Sequence, residues 1–205
     1  MTLTADRPIA KVPRREADPT LDAQRGTGAL DQNPPGLSLW KLWKEDLASH
    51  GGDWTRPGFR AVAVHRFGNW RMGKSKLLRI LLSPLYRWAF RRCRNRYGIE
   101  LPYAAKIGRR FIIEHQSAIV VHGHCVIGDD CTIRQGVTLG NKTPNKPHDA
   151  PTLGNRVNVG AGAKVLGAVT LGDGVMVGAN AVVVKDVPTN HIAVGIPAQC
   201  FPNKT

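Results

Sequence analysis

The fold is decided by residues 153–183, which read LGNRVNVGAGAKVLGAVTLGDGVMVGANAVV. An aliphatic residue recurs at every sixth position of this stretch: Leu153, Val159, Val165, Leu171, Val177 and Val183. Neither the period of about 3.6 residues of a helix nor the period of about 2 of a strand generates this spacing. Such a repeat is typical of a solenoid, in which each unit packs only against its neighbours.

The same period extends toward the N-terminus with two interruptions. Aliphatic anchors fall at Leu101, Ile107, Ile113 and Ile119, and after a two-residue slip at Ile127, Ile133 and Leu139. The irregular segment 141–152 is the second interruption. Seven of the thirteen anchors are followed by glycine, which suits tight corners that have no room for a Cβ atom. A β-sandwich would instead show alternating apolar and polar residues, with a turn signal about every 8–12 residues.

We therefore predict a mainly β fold in which each hexad forms one short strand and one corner. Three hexads close a triangular coil, and coils stack at about 4.8 Å so that backbone amides pair between them. The anchors then form a continuous internal column. Because an open solenoid needs its ends covered, we expect the segments before and after it to act as caps.

The chain divides into four segments by composition. Residues 1–36 are rich in proline, glycine and charged residues, lack any period, and are predicted to be a flexible leader. Residues 37–98 are predicted to form a small helical domain of three helices, with Pro84 as a candidate break in the third. The solenoid covers 99–187 with its loop at 141–152, and 188–205 is predicted to be a C-terminal cap and tail.

Composition and charge exclude several classes of protein. The chain has 205 residues, 42% of them hydrophobic and 21% charged, which excludes a large multi-domain assembly and wholesale disorder. No apolar run approaches the ~20 residues of a membrane-spanning helix, and the N-terminus lacks a signal-peptide pattern, so we expect a cytoplasmic protein. The four cysteines contain no CxxC pair and are interpreted as reduced thiols.

Several segments together resemble a known family. They are the hexad array, Ile107-Gly108-Arg109-Arg110, Glu114-His115, and the stretches GVTLG at 136–140 and GAGAKVLG at 160–167. Over about residues 40–200 the chain closely resembles hexapeptide-repeat acetyltransferases of the serine acetyltransferase family, including short relatives in exopolysaccharide synthesis such as the colanic acid acetyltransferase. The resemblance implies a left-handed parallel β-helix and acetyl-CoA as donor, with no metal required. It also implies a homotrimer, or a dimer of trimers through the helices, with active sites between subunits.

The resemblance also implies a catalytic pair. In the family an acidic residue fifteen positions before the catalytic histidine orients it, and here Glu100 lies fifteen positions before His115. One coil is about eighteen residues, so this spacing returns the chain almost to the same corner, one layer up. A neutral imidazole can accept the proton of an attacking hydroxyl, and a carboxylate can hold its other nitrogen. Without the resemblance, His115 would be interpreted as a polar residue on the solenoid surface.

Substrate-binding and cofactor-binding residues follow from the same resemblance. Glu114 and Asp53 match acidic residues that contact the acceptor, although Asp53 also fits a solvated loop position. The small residues Gly140, Ala161 and Ala179 match positions where the pantetheine arm of acetyl-CoA lies against the backbone, although corner packing also explains them.

One departure from the family concerns the acceptor. Serine acetyltransferases carry Arg-His just before the proline of the long loop, and this chain has Asp149-Ala150 before Pro151. His148 and Lys146 are candidate substitutes from nearby, yet a planar arginine that binds a carboxylate through two hydrogen bonds is missing. L-serine is the acceptor by resemblance, and a sugar hydroxyl in exopolysaccharide biosynthesis stays open.

Five further interpretations stay open or are set aside. The basic segment 71–96 has nine cations and no acid, which leaves peripheral membrane contact open, whereas no motif supports nucleic-acid binding. A zinc site at His122, His124 and Cys125 is a weak pattern. A trimeric scaffold without catalysis also stays open. The chain ends without the terminal isoleucine by which serine acetyltransferases bind cysteine synthase, so we expect no such complex.

Overall fold

The structure, a computed structural model, describes residues 31–203. It begins with three helices, α1 (Leu39–Ser49), α2 (Pro57–Met72) and α3 (Lys76–Arg92), and a π-helical segment, Cys93–Tyr97. The strands that follow are β1 Ile99–Glu100, β2 Lys106–Ile107, β3 Ile112–Ile113, β4 Ile119–Val121, β5 Val126–Ile127, β6 Thr132–Ile133, β7 Thr138–Gly140, β8 Thr152–Leu153, β9 Asn158–Val159, β10 Lys164–Leu166, β11 Thr170–Leu171, β12 Met176–Val177, β13 Val182–Val183, β14 His191–Gly195 and β15 Ala198–Pro202. Residues 1–30 of the predicted leader lie outside the described residues.

The strands wind into a triangular coil with a parallel sheet on each side. The first sheet is β1-β4-β7-β10-β13, the second is β2-β5-β8-β11, and the third is β3-β6-β9-β12-β14-β15. All thirteen predicted anchors are buried, none more than 4% exposed. The predicted left-handed parallel β-helix is therefore confirmed. At its far end β15 turns back antiparallel to β14.

The position of the two-residue slip differs from the prediction. Val121 pairs with Leu139, and Glu100 pairs with Val120, so Val121 rather than Ile119 occupies the anchor column beside Leu101. The two extra residues therefore lie in the corner 114–118 that precedes β4, not after Ile119. Both aliphatic residues are buried, at 0% and 2% exposure, so the hexad pattern alone accepts either of them as the anchor.

The helices cap the first coil. Gly58 of α2 packs directly on the carbonyl oxygen of Ile113, where a Cβ atom would overlap it. The His65 side chain bonds the carbonyl oxygen of Ala105 at 2.9 Å. Helix α3 runs through Pro84 without the break that the sequence suggested. Pro84 has no amide hydrogen, so the helix lacks one backbone hydrogen bond at this exposed position. No helix within residues 31–203 is long and apolar enough to cross a membrane.

The corners of successive coils align along three edges. The His115 edge joins the third sheet to the first and contains corners 114–118, 134–137, 160–163 and 178–181. The loop edge joins the first sheet to the second and contains 122–125, the long loop 141–151 and 167–169. The Asx edge joins the second sheet to the third and contains 108–111, 128–131, 154–157 and 172–175.

Side chains on the Asx edge set the stacking of the coils. The Asp129 carboxylate accepts from the Arg109 amide at 2.8 Å, the Asn155 side chain from the Asp129 amide at 2.9 Å, and the Asp173 carboxylate from the Asn155 amide at 2.8 Å. Each of these side chains thus satisfies the corner amide of the preceding coil. This ladder occupies the edge opposite the first sheet.

Candidate active site

His115 lies in the extended corner that the two extra residues create. All five residues 114–118 are exposed, and Ser117 and Ala118 adopt positive φ angles of 94° and 52°. The Ser117 amide donates to the Tyr97 carbonyl oxygen at 2.9 Å, and its carbonyl oxygen accepts from the Gly136 amide at 2.9 Å. Within residues 31–203 the imidazole of His115 makes no hydrogen bond and no ion pair. The ring is thus presented to solvent by a corner whose backbone is fixed.

Glu100 starts the coil that lies under this corner. It follows the Gly98 turn, whose carbonyl oxygen accepts from the Ile119 amide at 2.9 Å, and it alternates with the buried Ile99 and Leu101. Its side chain therefore points outward from the first sheet beside the His115 edge. Within residues 31–203 Glu100 and His115 are not hydrogen-bonded to each other, so their pairing stays a prediction.

The loop that carries Asp53 is held at both ends against Ile113. His50 Nε2 accepts from the Ile113 amide at 3.3 Å, and Gly58 packs on the carbonyl oxygen of the same residue. The Asp53 carboxylate accepts from the amide and the hydroxyl of Thr55 at 2.8 and 2.6 Å, which lowers its pKa. The charged Asp53 thus lies on a loop that is anchored to Ile113, the residue two positions before His115.

A second set of contacts joins this loop to the His115 corner. Arg60 donates to the Tyr97 hydroxyl at 2.8 Å and to the Trp54 carbonyl oxygen at 3.2 Å, and its guanidinium lies 5.1 Å from the Trp54 ring centroid. Tyr97 in turn accepts from Ser117. Sequence reasoning missed Trp54, Arg60 and Tyr97, because no motif connects residues so far apart along the chain.

Glu114 is paired with an arginine that was also missed. Its carboxylate lies 2.5 Å from Arg134 Nε, and another nitrogen of the same guanidinium donates to Asn158 Oδ1 at 2.5 Å. Arg134 belongs to the next coil of the His115 edge. The edge therefore carries a cation at the residue that precedes the predicted catalytic histidine. The signal for it is its place directly after Ile133, which pairs with Ile113.

Ala161 and Ala179 continue the His115 edge below these residues. The Asn180 amide donates to the Ala161 carbonyl oxygen at 2.8 Å, and the Gly162 amide donates to Gln135 at 2.8 Å, so the corners stack directly. Neither alanine carries a side chain longer than a methyl group on this edge. The structure thus aligns two of the three predicted cofactor-binding residues with His115.

Gly140 lies at the end of β7, on the loop edge. A Cβ atom there would meet only Thr138 at 3.6 Å and Leu166 at 4.0 Å, which are ordinary contacts. Packing within the chain therefore does not require glycine at this position. Within a single chain, however, Gly140 and Ala161 lie on different edges, at opposite ends of the strands of the first sheet.

His148 also lies on the loop edge, away from His115. Its Nδ1 is 3.0 Å from His124 Nε2, and the His124 ring is stacked 5.4 Å from that of His122. Within residues 31–203 no group of three or more histidine, cysteine or acidic side chains has a geometry that holds a metal ion. A single chain thus keeps His148 apart from the predicted catalytic pair.

Comparisons with known proteins agree with the fold and the motifs. Residues 150–185 match the family model of the bacterial transferase hexapeptide (six repeats). A serine acetyltransferase of Synechococcus elongatus is 38% identical over 144 residues, which are 70% of this chain and 56% of that protein. One from Helicobacter pylori is 55% identical over 102 residues, which are 50% of this chain and 60% of that protein.

A solved serine acetyltransferase structure is also similar to this chain, and the match covers a larger share of that relative. The soybean serine acetyltransferase complexed with serine superposes with a TM-score of 0.68 at 31% identity, covering 80% of this chain and 70% of that one. The chain belongs to the serine acetyltransferase family. It spans 56% and 60% of the two curated serine acetyltransferases above, less than two thirds of their length. Family membership confirms the resemblance, while the individual site residues stay predictions.

Proposed function

We propose that this protein is an O-acetyltransferase of the serine acetyltransferase type, which transfers the acetyl group of acetyl-CoA to an acceptor hydroxyl. The observation that carries the proposal is the exposed His115 imidazole on an extended corner. That corner is flanked by the anchored Asp53 loop and by the Glu114–Arg134 pair. Charged groups of both signs thus flank the exposed imidazole.

The proposed chemistry needs one proton transfer in each direction. His115 takes the proton of the acceptor hydroxyl as its oxygen attacks the thioester carbonyl carbon. When the intermediate collapses, the carbon–sulfur bond breaks, and the imidazolium returns the proton to the leaving thiolate. General base catalysis of this kind contributes roughly 10²–10⁴ in rate. Glu100 is proposed to fix the orientation of the ring and to stabilise its protonated form.

The proposal includes a homotrimer. Gly140 and His148 lie on the loop edge, whereas His115, Ala161 and Ala179 lie on the His115 edge. When the loop edge of one copy lies beside the His115 edge of the next, all five residues line one cleft. Gly140, which packing does not require, then provides space for the pantetheine arm.

L-serine is the acceptor that the family supports, and the loop gives a specific reason to test a sugar. Loop residues 141–150 contain no arginine, and Asp149 there lies 3.9 Å from Lys146. Arg134 offers another cation for a carboxylate, although Glu114 already pairs with it. We propose L-serine first, and a sugar hydroxyl of exopolysaccharide biosynthesis as the alternative.

A thiol-release assay with acetyl-CoA tests the activity and the acceptor together. We expect CoA release that depends on L-serine and is lost in His115→Asn. Turnover with sugars and none with L-serine would replace the acceptor but keep the enzyme. If no acceptor releases CoA and no acetyl-CoA binding is found by calorimetry, the proposal is wrong and the scaffold interpretation gains.

A further inference from the structure

Helix α3 exposes an apolar stripe on the side that faces away from the protein. Leu77, Leu81, Leu85 and Trp88 are 71%, 66%, 53% and 61% exposed. Their spacing of three and four residues places them on one face of the helix. The opposite face packs on the protein through Tyr86, which is 5% exposed. The stripe thus does not contribute to the core.

The same segment carries an unbalanced positive charge. Residues 71–96 contain nine cations and no acid, and Arg71 alone among them is buried, against Tyr86 and Tyr103. None of the other eight forms an ion pair within residues 31–203: Lys74, Lys76, Arg79, Arg87, Arg91, Arg92, Arg94 and Arg96. An uncompensated charge of this size favours an anionic partner.

Several of these cations border a groove beside the apolar stripe. The groove is open to solvent, has a volume of about 580 Å³ and is lined by Pro84, Arg87, Trp88, Arg91, Arg92, Asn95 and Arg96. The Arg92 guanidinium lies 5.9 Å from the Trp88 ring centroid. Arginines and a tryptophan next to exposed leucines match the two levels of a bilayer surface, phosphate groups above and acyl chains below.

We propose that α3 is a membrane-surface helix, which inserts its leucine stripe into an anionic bilayer while the arginine groove holds lipid phosphates. Helices that lie in the interface combine an apolar face with a polar face rich in lysine and arginine. A second copy of the chain would be the other occupant of the stripe. Pairing two copies through this face would bring Arg87 and Arg91 against the same cations of the partner copy, so charge complementarity favours lipid.

Vesicle co-sedimentation of the full chain tests the proposal. We expect binding to phosphatidylcholine vesicles that contain phosphatidylglycerol, with little binding to phosphatidylcholine alone. The variant R87E/R91E should bind at least about tenfold more weakly, because each basic residue near an anionic surface contributes to affinity. Binding should also weaken as the salt concentration rises from about 0.1 M to about 0.5 M, since salt screens the attraction between surface charges.

Matched variants separate this surface from general charge and general hydrophobicity. K142E/K185E makes the same change in net charge on the β-helix and should bind like the wild type. Trp88→Ala should weaken binding, whereas Trp40→Ala, at 64% exposure close to the 61% of Trp88, should not. Circular dichroism and thermal unfolding verify that every variant is folded.

Three results would overturn the proposal. They are an absence of binding to the anionic vesicles at low salt, equal losses in R87E/R91E and K142E/K185E, and a fall in oligomer mass for L81S/L85S without any vesicle binding. The last would show that a second copy covers the stripe. None of these measurements uses acetyl transfer, so the proposal can fail independently of the proposed activity.

Discussion

Arg66 and Asp46 form a fully buried ion pair between α2 and α1, with Arg66 Nε 2.9 Å from Asp46 Oδ2. The same guanidinium donates to the carbonyl oxygens of Ile107 at 2.8 Å and Gly108 at 2.5 Å. One arginine side chain therefore joins two helices to the first coil. The loop that carries Asp53 lies between these helices, so its position depends on this pair.

Replacing Asp46 with Asn should destabilise the protein strongly. The Arg66 charge would stay buried without a counter-charge, and breaking a buried pair in this way costs about 3–5 kcal/mol. Glu45→Gln is the matched control, because Glu45 pairs with Arg109 at a partly exposed site and should cost less than about 1 kcal/mol. Denaturant unfolding measures both. Similar losses for the two variants would show that burial of the Asp46 pair is unimportant.

Stability should fall as the pH is lowered from neutral. Burial, and then the nearby Arg66 charge, lower the pKa of His65 to about 3, whereas a histidine of the unfolded chain keeps its ordinary pKa of 6.5. The unfolded state therefore binds more protons between these values, so each pH unit below 6.5 costs up to about 1.4 kcal/mol. His65→Gln keeps a donor for the Ala105 carbonyl oxygen and should reduce the difference in stability between neutral and acidic pH.

Two comparisons make the pH experiment specific. Burial also lowers the pKa of His50, so part of the dependence should persist in His65→Gln. The double variant H50Q/H65Q should therefore reduce the dependence further than His65→Gln alone. Unfolding curves at neutral and mildly acidic pH supply the measurement. An unchanged slope in His65→Gln would mean that the imidazole is not buried in neutral form.

The coil could be predicted from sequence because each anchor must be apolar and each corner must be small. The burial of Leu153 and Val159 can be predicted from their spacing alone, without knowing which coil packs against them. The slip was misplaced because Ile119 and Val121 are both aliphatic and both buried, and only the pairing of Val121 with Leu139 decides between them. The register between coils is determined by contacts between strands of different coils, and the six-residue period alone does not specify it.

The candidate site was only partly predictable for a related reason. His115 and Glu114 belong to a local motif, whereas Arg134 reaches Glu114 only because the coils stack. The contact of Arg60 with Tyr97 depends on how α2 docks on the coil, which no residue pattern specifies. Family resemblance supplied Gly140 and His148, and the structure places them on another edge.

His115→Asn should lower the rate constant for acetyl transfer by roughly 10²–10⁴, because asparagine cannot take the hydroxyl proton. The KM for acetyl-CoA should change little, since the ring acts on the acceptor. Glu100→Gln should lower the rate less, by weakening the orientation of the ring. His191→Asn is the control and should retain full activity. Steady-state CoA release measures these rates. Equal activity in His115→Asn and the wild type would show that His115 is not catalytic.

Arg134→Met should raise the KM for L-serine at least about tenfold if the guanidinium contacts the acceptor carboxylate, because charge-assisted hydrogen bonds contribute about 1.5–3 kcal/mol. The KM for acetyl-CoA should stay the same. Arg110→Met is the matched control, since Arg110 also pairs with an acid, Asp130, but on the Asx edge. An unchanged KM for L-serine would leave Arg134 a purely structural partner of Glu114.

The long loop allows the acceptor to be switched by design. D149R/A150H introduces the Arg-His pair that serine acetyltransferases carry before this proline, and a planar guanidinium binds a carboxylate through two hydrogen bonds. We expect kcat/KM for L-serine to rise by about tenfold or more relative to sugars. D149K supplies a point charge without the planar fork and should gain less. If D149R/A150H leaves the preference between L-serine and sugars unchanged, the loop does not select the acceptor, and Arg134 becomes the remaining cation to explain it.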